Sequence, residues 1–198
     1  MTESTAITHR LKFDLVPDDD RLLPVRLVCG PQVVIGRNKE ECDLVTWFLP
    51  RNTDNDQQTL RLSQVHCYLE HEHSSLRIRD ADSAAGTSWN QLPVPLGEGQ
   101  SSRIGPEGRL TLGKHFHVSV TWHSGCATLH PIGTEPAFRH CVWMIGARCA
   151  FRIDTDKSSW LVPDESGEVI FIARNGALWC NDLKLTPGVK LPCGLSVA

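Results

Sequence analysis

Apolar and polar residues alternate with a period of two in short runs along the whole chain, and this pattern most constrains the fold. Leu11, Phe13 and Leu15 alternate with polar residues, and the runs 76–79 and 109–112 alternate in the same way. Turn signals rich in Gly and Pro separate the runs, and no window has a sustained helical period. Many short strands joined by frequent turns predict an all-β sandwich.

The composition excludes several classes of protein. The 198 residues have a hydrophobic content of 40% and a charged content of 22%, which is typical of globular proteins. With a formal net charge of −3, the chain lacks the excess of basic residues that is typical of nucleic-acid-binding proteins. Residues 1–8 lack the apolar core of a signal peptide, and the apolar runs are too short to span a membrane. We therefore expect a cytoplasmic protein with neither a nucleic-acid partner nor a membrane partner.

Eight cysteines and nine histidines raise the question of disulfides, metal sites and catalysis. The cysteines include no Cys-x-x-Cys pair and most have apolar neighbours, so we expect reduced thiols. His71 and His73, and likewise His115 and His117, could place two imidazoles on one face of a strand, but a metal site needs further ligands. The motifs of common hydrolases and nucleotide-binding loops are absent. We predict a protein that is not an enzyme and has no catalytic residue, metal or cofactor.

Three short polar blocks lie at junctions between strand-like runs, and their residues suit the recognition of a phosphate group. Arg37 follows the apolar run 33–35, Ser63 opens a Ser-x-x-His block, and residues 82–90 have the sequence Asp-Ser-Ala-Ala-Gly-Thr-Ser-Trp-Asn. A phosphate needs a cation and several hydrogen-bond donors, which short loops at the end of a rigid sheet supply well. The Arg37 guanidinium could contact a phosphate in a bidentate manner, and the Ser63 hydroxyl and the Gln64 amide could donate further hydrogen bonds.

In their order and spacing, the three blocks resemble the forkhead-associated (FHA) domain family. That family has Gly-Arg after an apolar strand, then Ser-x-x-His, then Asn-Gly-Thr-x-x-Asn. The resemblance covers roughly the first 124 residues and implies an antiparallel β-sandwich that recognises phosphothreonine in partner proteins. It implies that Arg37 pairs with the phosphate and that Ser63 donates its hydroxyl. Gln64, Ala84 and Ala85 would then line the groove for the peptide.

Other residues of the blocks have structural roles in this interpretation. Gly36 would let two backbone segments approach closely at a strand end, and Gly86 would permit a tight turn with positive φ. Thr87 and Asn90 would form hydrogen bonds across that turn. The resemblance gives His66 the task of bracing the loop that holds Ser63, and a structural histidine is also the commoner case.

The chain departs from the family pattern at Ala84 and Ala85, where the family usually has Thr-Asn. In the family the asparagine contacts the main chain of the peptide, and the threonine hydroxyl is near the phosphate. Losing a hydrogen bond to a charged group costs about 1.5–3 kcal/mol, which would lower affinity by about tenfold to a hundredfold. Two interpretations stay open, namely a weakened phosphothreonine site and an FHA fold that no longer binds phosphate.

The turn residues after Trp122 predict a division of the chain into four segments. These are a flexible N-terminus (1–9), an FHA-like domain (10–124), a linker (125–136) and a small β-rich C-terminal unit (137–198). The C-terminal unit is near the lower size limit for an independent core. It carries five large aromatic residues that it would bury only partly, so we expect them to pack against the first domain or against a partner on this aromatic surface: Trp143, Phe151, Trp160, Phe171 and Trp179.

Two stretches of the C-terminal unit echo the first domain. The run 142–148 is similar to 33–37, and 175–181 is similar to 85–90, but no Ser-x-x-His block lies between them. A degenerate FHA-like repeat and coincidental strand patterning both account for these echoes, since Asn-Gly hairpins are common.

The sequence therefore predicts a phosphothreonine-dependent adaptor module in Ser/Thr kinase signalling, whose partner is a threonine-phosphorylated protein. The alternative is a structural interaction protein with a degenerate FHA fold.

Overall fold

The computed structural model describes residues 10–19, 22–72, 75–97, 99–123, 125–134, 136–138, 140–154, 160–191 and 194–198. Within these ranges the structure is nearly all β, with a single α-helix, α1 (Thr53–Leu60), and sandwich-like sheets. This confirms the all-β prediction. The predicted flexible N-terminus, residues 1–9, lies outside the described residues.

The strands are short, as the frequent turn signals indicate. In chain order they are β1 (Leu11–Pro17), β2 (Val25–Cys29), β3 (Gln32–Gly36), β4 (Leu44–Val45), β5 (Trp47–Phe48), β6 (Cys67–Glu72), β7 (Ser75–Asp80), β8 (Thr87–Trp89), β9 (Leu92–Pro93), β10 (Ser102–Ile104), β11 (Glu107–Leu112), β12 (Phe116–His123), β13 (Cys126–Ile132), β14 (Pro136–Ala137), β15 (His140–Met144), β16 (Arg148–Ile153), β17 (Leu161–Pro163), β18 (Val169–Arg174), β19 (Ala177–Cys180), β20 (Leu183–Lys184), β21 (Lys190–Leu191) and β22 (Leu195–Val197).

The chain divides into two compact units. The central unit comprises Gln32–Thr121 and Thr128–Arg139, and the terminal unit comprises Met1–Pro31, Trp122–Ala127 and His140–Ala198. This division differs from the one expected along the chain. Strands β1 and β2, assigned to the first domain from the sequence, belong to the terminal unit, because β2 pairs in parallel with β15. The expected linker is not a linker, since β13 runs through most of it.

The central unit contains two sheets and a short β5–β14 pair. One sheet has the order β10-β7-β6-β3-β4, and the other runs β13-β12-β11-β8-β9. Strand β7 shows why the period-two pattern produces such sheets, because Leu76 and Ile78 are fully buried while Arg77 and Arg79 alternate with them on the outer side. On β12, Phe116 is likewise fully buried and packs edge to face against Phe48, with 5.3 Å between the two ring centroids.

Helix α1 forms in a polar segment that shows no helical period in the sequence. Its N-cap is Asn52, whose side chain accepts a hydrogen bond from the Asn55 amide at 2.9 Å. The Asn55 side chain is buried and donates to the carbonyl of Pro50 at 2.9 Å. Local hydrogen bonds at its N-terminus therefore hold this helix, although its polar sequence shows no helical period.

The terminal unit is also built from two five-stranded groups, with the orders β21-β22-β1-β2-β15 and β17-β16-β18-β19-β20. Its core contains the aromatic residues that the sequence was expected to leave partly exposed. Trp143, Phe151, Trp160 and Phe171 are all fully buried, and only Trp179 of the five is half-buried. Phe151, Trp160 and Phe171 share this core with β1 and β2, so they pack against strands that the sequence had assigned to the first domain, as one of the two expectations held. These buried residues offer no surface to a partner.

The two indole groups in this core have hydrogen-bond partners on the N-terminal segment. The Trp143 indole N–H donates to the carbonyl of Gly30 at 2.8 Å, and that of Trp160 donates to Leu23 at 2.7 Å. Hydrogen bonds to residues more than a hundred positions away in the sequence therefore offset the free-energy cost of burying these two N–H donors.

The two sequence echoes do not occupy equivalent positions. Strand β3 pairs antiparallel with β6, whereas β15 pairs in parallel with β2. Asn175 and Gly176 form the tight turn of the β18–β19 hairpin, both with positive φ, whereas Gly86 lies in a loop that joins strands of different sheets. Coincidental strand patterning accounts for both echoes.

Seven of the eight cysteines lie in the described ranges, and all seven are buried free thiols. Within the same ranges, the structure has no helix with the length and hydropathy needed to span a bilayer.

Candidate functional site

Hydrogen bonds connect the three loops of the central unit that carry the motif residues, and they also connect these loops to the β11–β12 turn. The amide of Arg37, after β3, donates to the carbonyl of Ser63 at 3.2 Å. The Ala84 amide, in the β7–β8 loop, donates to the Ser63 hydroxyl oxygen at 3.1 Å. The Gly113 amide, in the β11–β12 turn, donates to the Gly86 carbonyl at 2.8 Å. Segments that are distant in sequence therefore form one surface.

The Arg37 side chain is anchored at one end and free at the other. Its Nε donates to the carbonyl of Leu62 at 2.8 Å, which fixes the plane of the guanidinium. The two terminal nitrogens of Arg37 have no acceptor among the described residues, and the side chain is half-buried. A planar pair of donors held in this way suits bidentate contact with an oxyanion.

The Ser63 hydroxyl is positioned beside this guanidinium. Its oxygen already accepts the Ala84 amide, while its own hydrogen has no acceptor among the described residues. The neighbouring residue Gln64 is exposed, and its amide likewise donates to no group in the described part of the chain. Arg37, Ser63 and Gln64 thus present unsatisfied donors and no carboxylate, which is the requirement for an anion site.

Gly36 permits the close approach of the first two loops. A Cβ atom at this position would lie 2.2 Å from the carbonyl oxygen of Gln64, so no other residue fits without moving the backbone. The same carbonyl accepts hydrogen bonds from the Asn38 amide at 3.0 Å and the Cys42 thiol at 3.2 Å. The absence of a side chain at Gly36 therefore determines where Ser63 lies relative to Arg37.

His66 connects the Ser63 loop to the β7–β8 loop. The Ser63 amide donates to His66 Nδ1 at 3.2 Å, so Nε2 carries the proton and donates to the Gly86 carbonyl at 3.0 Å. The ring is fully buried. Desolvation lowers the pKa of His66, against smaller opposing effects of the Gly86 hydrogen bond and the Asp80 charge. His66 is thus a neutral brace between two loops.

Asp80 organises the β7–β8 loop, and sequence reasoning missed it. The carboxylate is only 3% exposed and accepts hydrogen bonds from the Ser83 amide at 2.6 Å and the Ser83 hydroxyl at 2.8 Å. It also accepts the Thr87 hydroxyl. The loop that presents Ala84 and Ala85 is therefore held from beneath by one buried charge. The sequence signal for this role was an Asp at the end of an alternating strand, with Asp-Ser two residues further on.

The remaining motif residues differ in what they contact. Gly86 has a φ of 75°, in the region that favours glycine. The Thr87 hydroxyl donates back to Asp80 on β7. The Asn90 side chain accepts the Arg109 amide on β11 at 2.8 Å, so it contacts the neighbouring strand and not the turn. Ala84 and Ala85 are both exposed, and neither side chain offers a polar group.

A cavity of about 500 Å³ lies next to the Ser63 and Ala84 loops. Phe48 and Leu112 provide apolar walls, and the rim carries the cationic side chains of Arg61 and Lys114. Helix α1 contributes Gln58 to the lining. The sequence did not indicate this cavity, because it depends on where the helix packs. No group of side chains in the described ranges could hold a metal ion.

Comparison with protein families agrees with this arrangement of loops. Residues 33–113 match the FHA domain family, and these residues include all three connected loops. The resemblance to the FHA domain family is thereby confirmed for this segment. The match begins within β3 and ends at the β11–β12 turn, so it lies entirely inside the central unit.

Solved FHA domains have folds that align with part of this chain. One, from work on phosphothreonine-dependent FHA domain interactions, is 22% identical and covers 58% of this chain and 99% of its own, with a TM-score of 0.36. Another, the FHA domain of an Arabidopsis thaliana hypothetical protein, is 20% identical and covers 63% of this chain and 96% of its own, with a TM-score of 0.39. No curated protein sequence matches the chain.

The low pKa of His66 predicts that acid destabilises the FHA domain. Above the ordinary histidine pKa of about 6.5, the His66 ring is neutral in both the folded and the unfolded protein. The ring then contributes its full stabilisation to the folded state. As the pH falls below that value, the unfolded state takes up the proton first, and stability is lost until the pH reaches the folded-state pKa. We expect the unfolding free energy to fall between about pH 7 and pH 5.

The variant His66→Gln isolates this effect, and His115→Gln, an exposed histidine of the same unit, is its matched control. His66→Gln should be less stable at neutral pH, with a smaller difference between pH 8 and pH 5 than the wild type. His115→Gln should keep the full difference. Urea unfolding at the two pH values measures both quantities. An unchanged pH difference in His66→Gln would show that the ring is not held neutral by the fold.

Proposed function

We infer that the FHA domain binds a phosphothreonine-containing segment of a partner protein. The observation that carries this inference is the Arg37 guanidinium, which is anchored through Nε and has two terminal nitrogens without an acceptor among the described residues. The Ser63 hydroxyl and the Gln64 amide add donors beside it. A dianionic phosphate would satisfy all of these donors, and charge-assisted hydrogen bonds are the strongest class available.

The cavity supports recognition of residues that flank the phosphothreonine. Its lining includes Leu62, the sequence neighbour of Ser63, and Ala84 in the β7–β8 loop, so a peptide anchored at Arg37 would reach it. Arg61 and Lys114 favour an acidic side chain at that point, while Phe48 would contact its aliphatic part. A pocket of this kind provides sequence preference in addition to the affinity of the phosphate contact.

In the cell, this activity corresponds to an adaptor that docks on a threonine-phosphorylated protein in Ser/Thr kinase signalling, without catalysis of its own. A cytoplasmic location fits that role. Titration of a phosphothreonine peptide library, with unphosphorylated and phosphoserine versions of each peptide, tests the proposal. We expect saturable binding of phosphothreonine peptides only. Equal binding of the unphosphorylated versions would contradict it.

The exposed alanines support a second candidate, a structural interaction protein whose FHA fold does not bind phosphate. Ala84 and Ala85 offer only backbone groups at the place where the family has two polar side chains. The Ala84 amide is already used by Ser63, which leaves less hydrogen-bonding capacity for a peptide. Phosphate-independent capture in the titration above would favour this candidate.

The substitution Ala85→Asn is expected to strengthen phosphopeptide binding. An amide at this exposed position would supply the donor and acceptor that the family uses to hold the main chain of the peptide. One added hydrogen bond contributes about 1 kcal/mol, or an affinity gain of about fivefold. Isothermal titration calorimetry with one phosphothreonine peptide measures the gain.

Ala85→Asp is the matched control for this substitution, because it has the same shape but replaces the amide with a carboxylate that repels the phosphate. It should bind more weakly than the wild type. The gain from Ala85→Asn should also disappear when Arg37 is replaced, since the amide helps only a peptide already anchored by its phosphate. An Asn variant that folds and binds like the wild type would mean that the peptide does not pass over this loop.

A further inference from the structure

The outer face of one sheet in the terminal unit is cationic, although the whole chain has a net charge of −3. This sheet has the strand order β17-β16-β18-β19-β20. Its five strands contain no Asp or Glu, and their four basic residues are all exposed: Arg148, Arg152, Arg174 and Lys184. Proteins normally intersperse both signs on a solvated sheet face, so this distribution points to an anionic partner.

The alternation of the strands determines which face carries these cations. Phe151, Phe171 and Leu178 point into the core of the unit and are fully or almost fully buried. Their sequence neighbours Arg152 and Ile172 therefore lie on the opposite side of the sheet, where they are exposed and half-buried respectively. The outer face thus combines long cationic side chains with aliphatic groups.

Four outward residues form one row across four strands. Arg148 is in register with Ile172, Ile172 with Trp179, and Trp179 with Lys184. Adjacent strands are about 4.8 Å apart, so three spacings place the backbones of Arg148 and Lys184 about 14 Å from each other. The row therefore has a cation at each end and two apolar side chains between them.

The charges at the ends of this row are not neutralised within the unit. Arg152, outside the row, pairs with Asp154 at 3.1 Å and with Asp164 at 3.4 Å. Arg148 and Lys184, in contrast, have no ion pair with any described residue. Cationic ends that remain free beside an apolar centre are available to a ligand of opposite charge.

We propose that this row binds an extended acidic segment of a partner protein, with carboxylates at positions i and i+4 and an apolar residue at i+2. Residues i, i+2 and i+4 of an extended chain lie on one face, and they span about 13–14 Å. The two carboxylates would pair with Arg148 and Lys184. The apolar residue would cover Ile172 beside Trp179, which excludes water from the charge pairs on either side.

The same row is poorly suited to single-stranded nucleic acid. Stacking of bases requires open aromatic faces, and Trp179 is the one aromatic residue on the outer side of the described strands of this sheet. The Arg174 guanidinium already lies over its ring, 4.1 Å from the centroid. A peptide that contributes an apolar side chain between two carboxylates uses the row fully.

The experiment uses the full chain, labelled with nitrogen-15, and the peptide Gly-Asp-Gly-Leu-Gly-Asp-Gly. The peptide is acetylated at its N-terminus and amidated at its C-terminus, so neither end carries a charge. The peptide contains no phosphate, so the result is independent of the phosphothreonine site. We expect saturable shifts of the Trp179 indole N–H resonance and weaker binding at high salt. Two control peptides carry either Asn in place of both Asp residues, or the Asp residues moved by one position so that they face away from Leu. Both controls should bind at least about tenfold more weakly.

The double variant Arg148→Glu, Lys184→Glu should lose at least about tenfold in affinity for the acidic peptide. Lys190→Glu is the matched control, because Lys190 is an exposed lysine on β21 in the other sheet of the same unit. It should bind like the wild type. Absence of saturable binding, equal effects of the double variant and of Lys190→Glu, or preferred binding of single-stranded DNA over the peptide would each overturn the proposal.

Discussion

Replacing Arg37 with Ala is expected to abolish measurable binding of phosphothreonine peptides while the FHA domain stays folded. The substitution removes the only side chain in the connected loops that is both cationic and oriented by its own Nε hydrogen bond, here to the Leu62 carbonyl. Two charge-assisted hydrogen bonds to the phosphate would be lost, at about 1.5–3 kcal/mol each. The affinity should therefore fall by at least about a hundredfold, which calorimetry or fluorescence anisotropy can measure.

Two further variants separate charge from geometry in this prediction. Arg37→Lys keeps the cation but loses the planar pair of donors, so it should recover only part of the affinity. Arg103→Ala removes an exposed arginine from β10 of the same unit and should bind like the wild type. If Arg37→Ala retains affinity for phosphothreonine peptides, or if Arg103→Ala loses it equally, the phosphate is bound elsewhere.

The largest effect on stability is expected from Asp80→Ala. The buried carboxylate is the acceptor for the Ser83 amide, the Ser83 hydroxyl and the Thr87 hydroxyl. Alanine would leave these donors without an acceptor in a site that solvent does not reach, which costs about 3–5 kcal/mol. The β7–β8 loop would no longer hold Ala84 against Ser63, so phosphopeptide affinity should fall together with stability.

Asp82→Asn is the control for Asp80→Ala. Asp82 is exposed and has a φ of 55°, a conformation that Asn tolerates, so the substitution removes a carboxylate of the same loop without strain. It should change the unfolding free energy by less than about 0.5 kcal/mol. Urea unfolding followed through the amide resonances of residues 32–121 reports on the central unit alone. Similar losses in the two variants would mean that Asp80 is not the acceptor that organises the loop.

Much of the candidate site was predictable because its residues belong to local sequence patterns. Arg37 follows an apolar strand, and Ser63 and His66 are three residues apart in one short loop, so their spacing is visible in the sequence. Asp80 was not predictable in the same way. Its importance comes from burial and from three donors that converge on it, and a lone aspartate at a strand end is common in turns.

The helix and the cavity illustrate a second limit of sequence patterns. The residues of α1 are polar on most sides, so no hydrophobic period marks the helix. The cavity next to Ser63 depends on where that helix packs, since Gln58 and Arg61 line it beside Leu112. The cavity is therefore a property of the segment that carries α1 and not of the motif blocks.

The sequence by itself determined the all-β class, the positions of several strands and the order of the three motif blocks, because period-two burial and turn chemistry are local. Only the tertiary structure decided which strands share a core. Strand β2 pairs with β15 across more than a hundred residues, and this places β1 and β2 with the C-terminal strands. Trp143 and Trp160 are buried for the same reason, since their indole partners lie on the N-terminal segment. Pairing between distant strands depends on complementary packing surfaces, which no local pattern records.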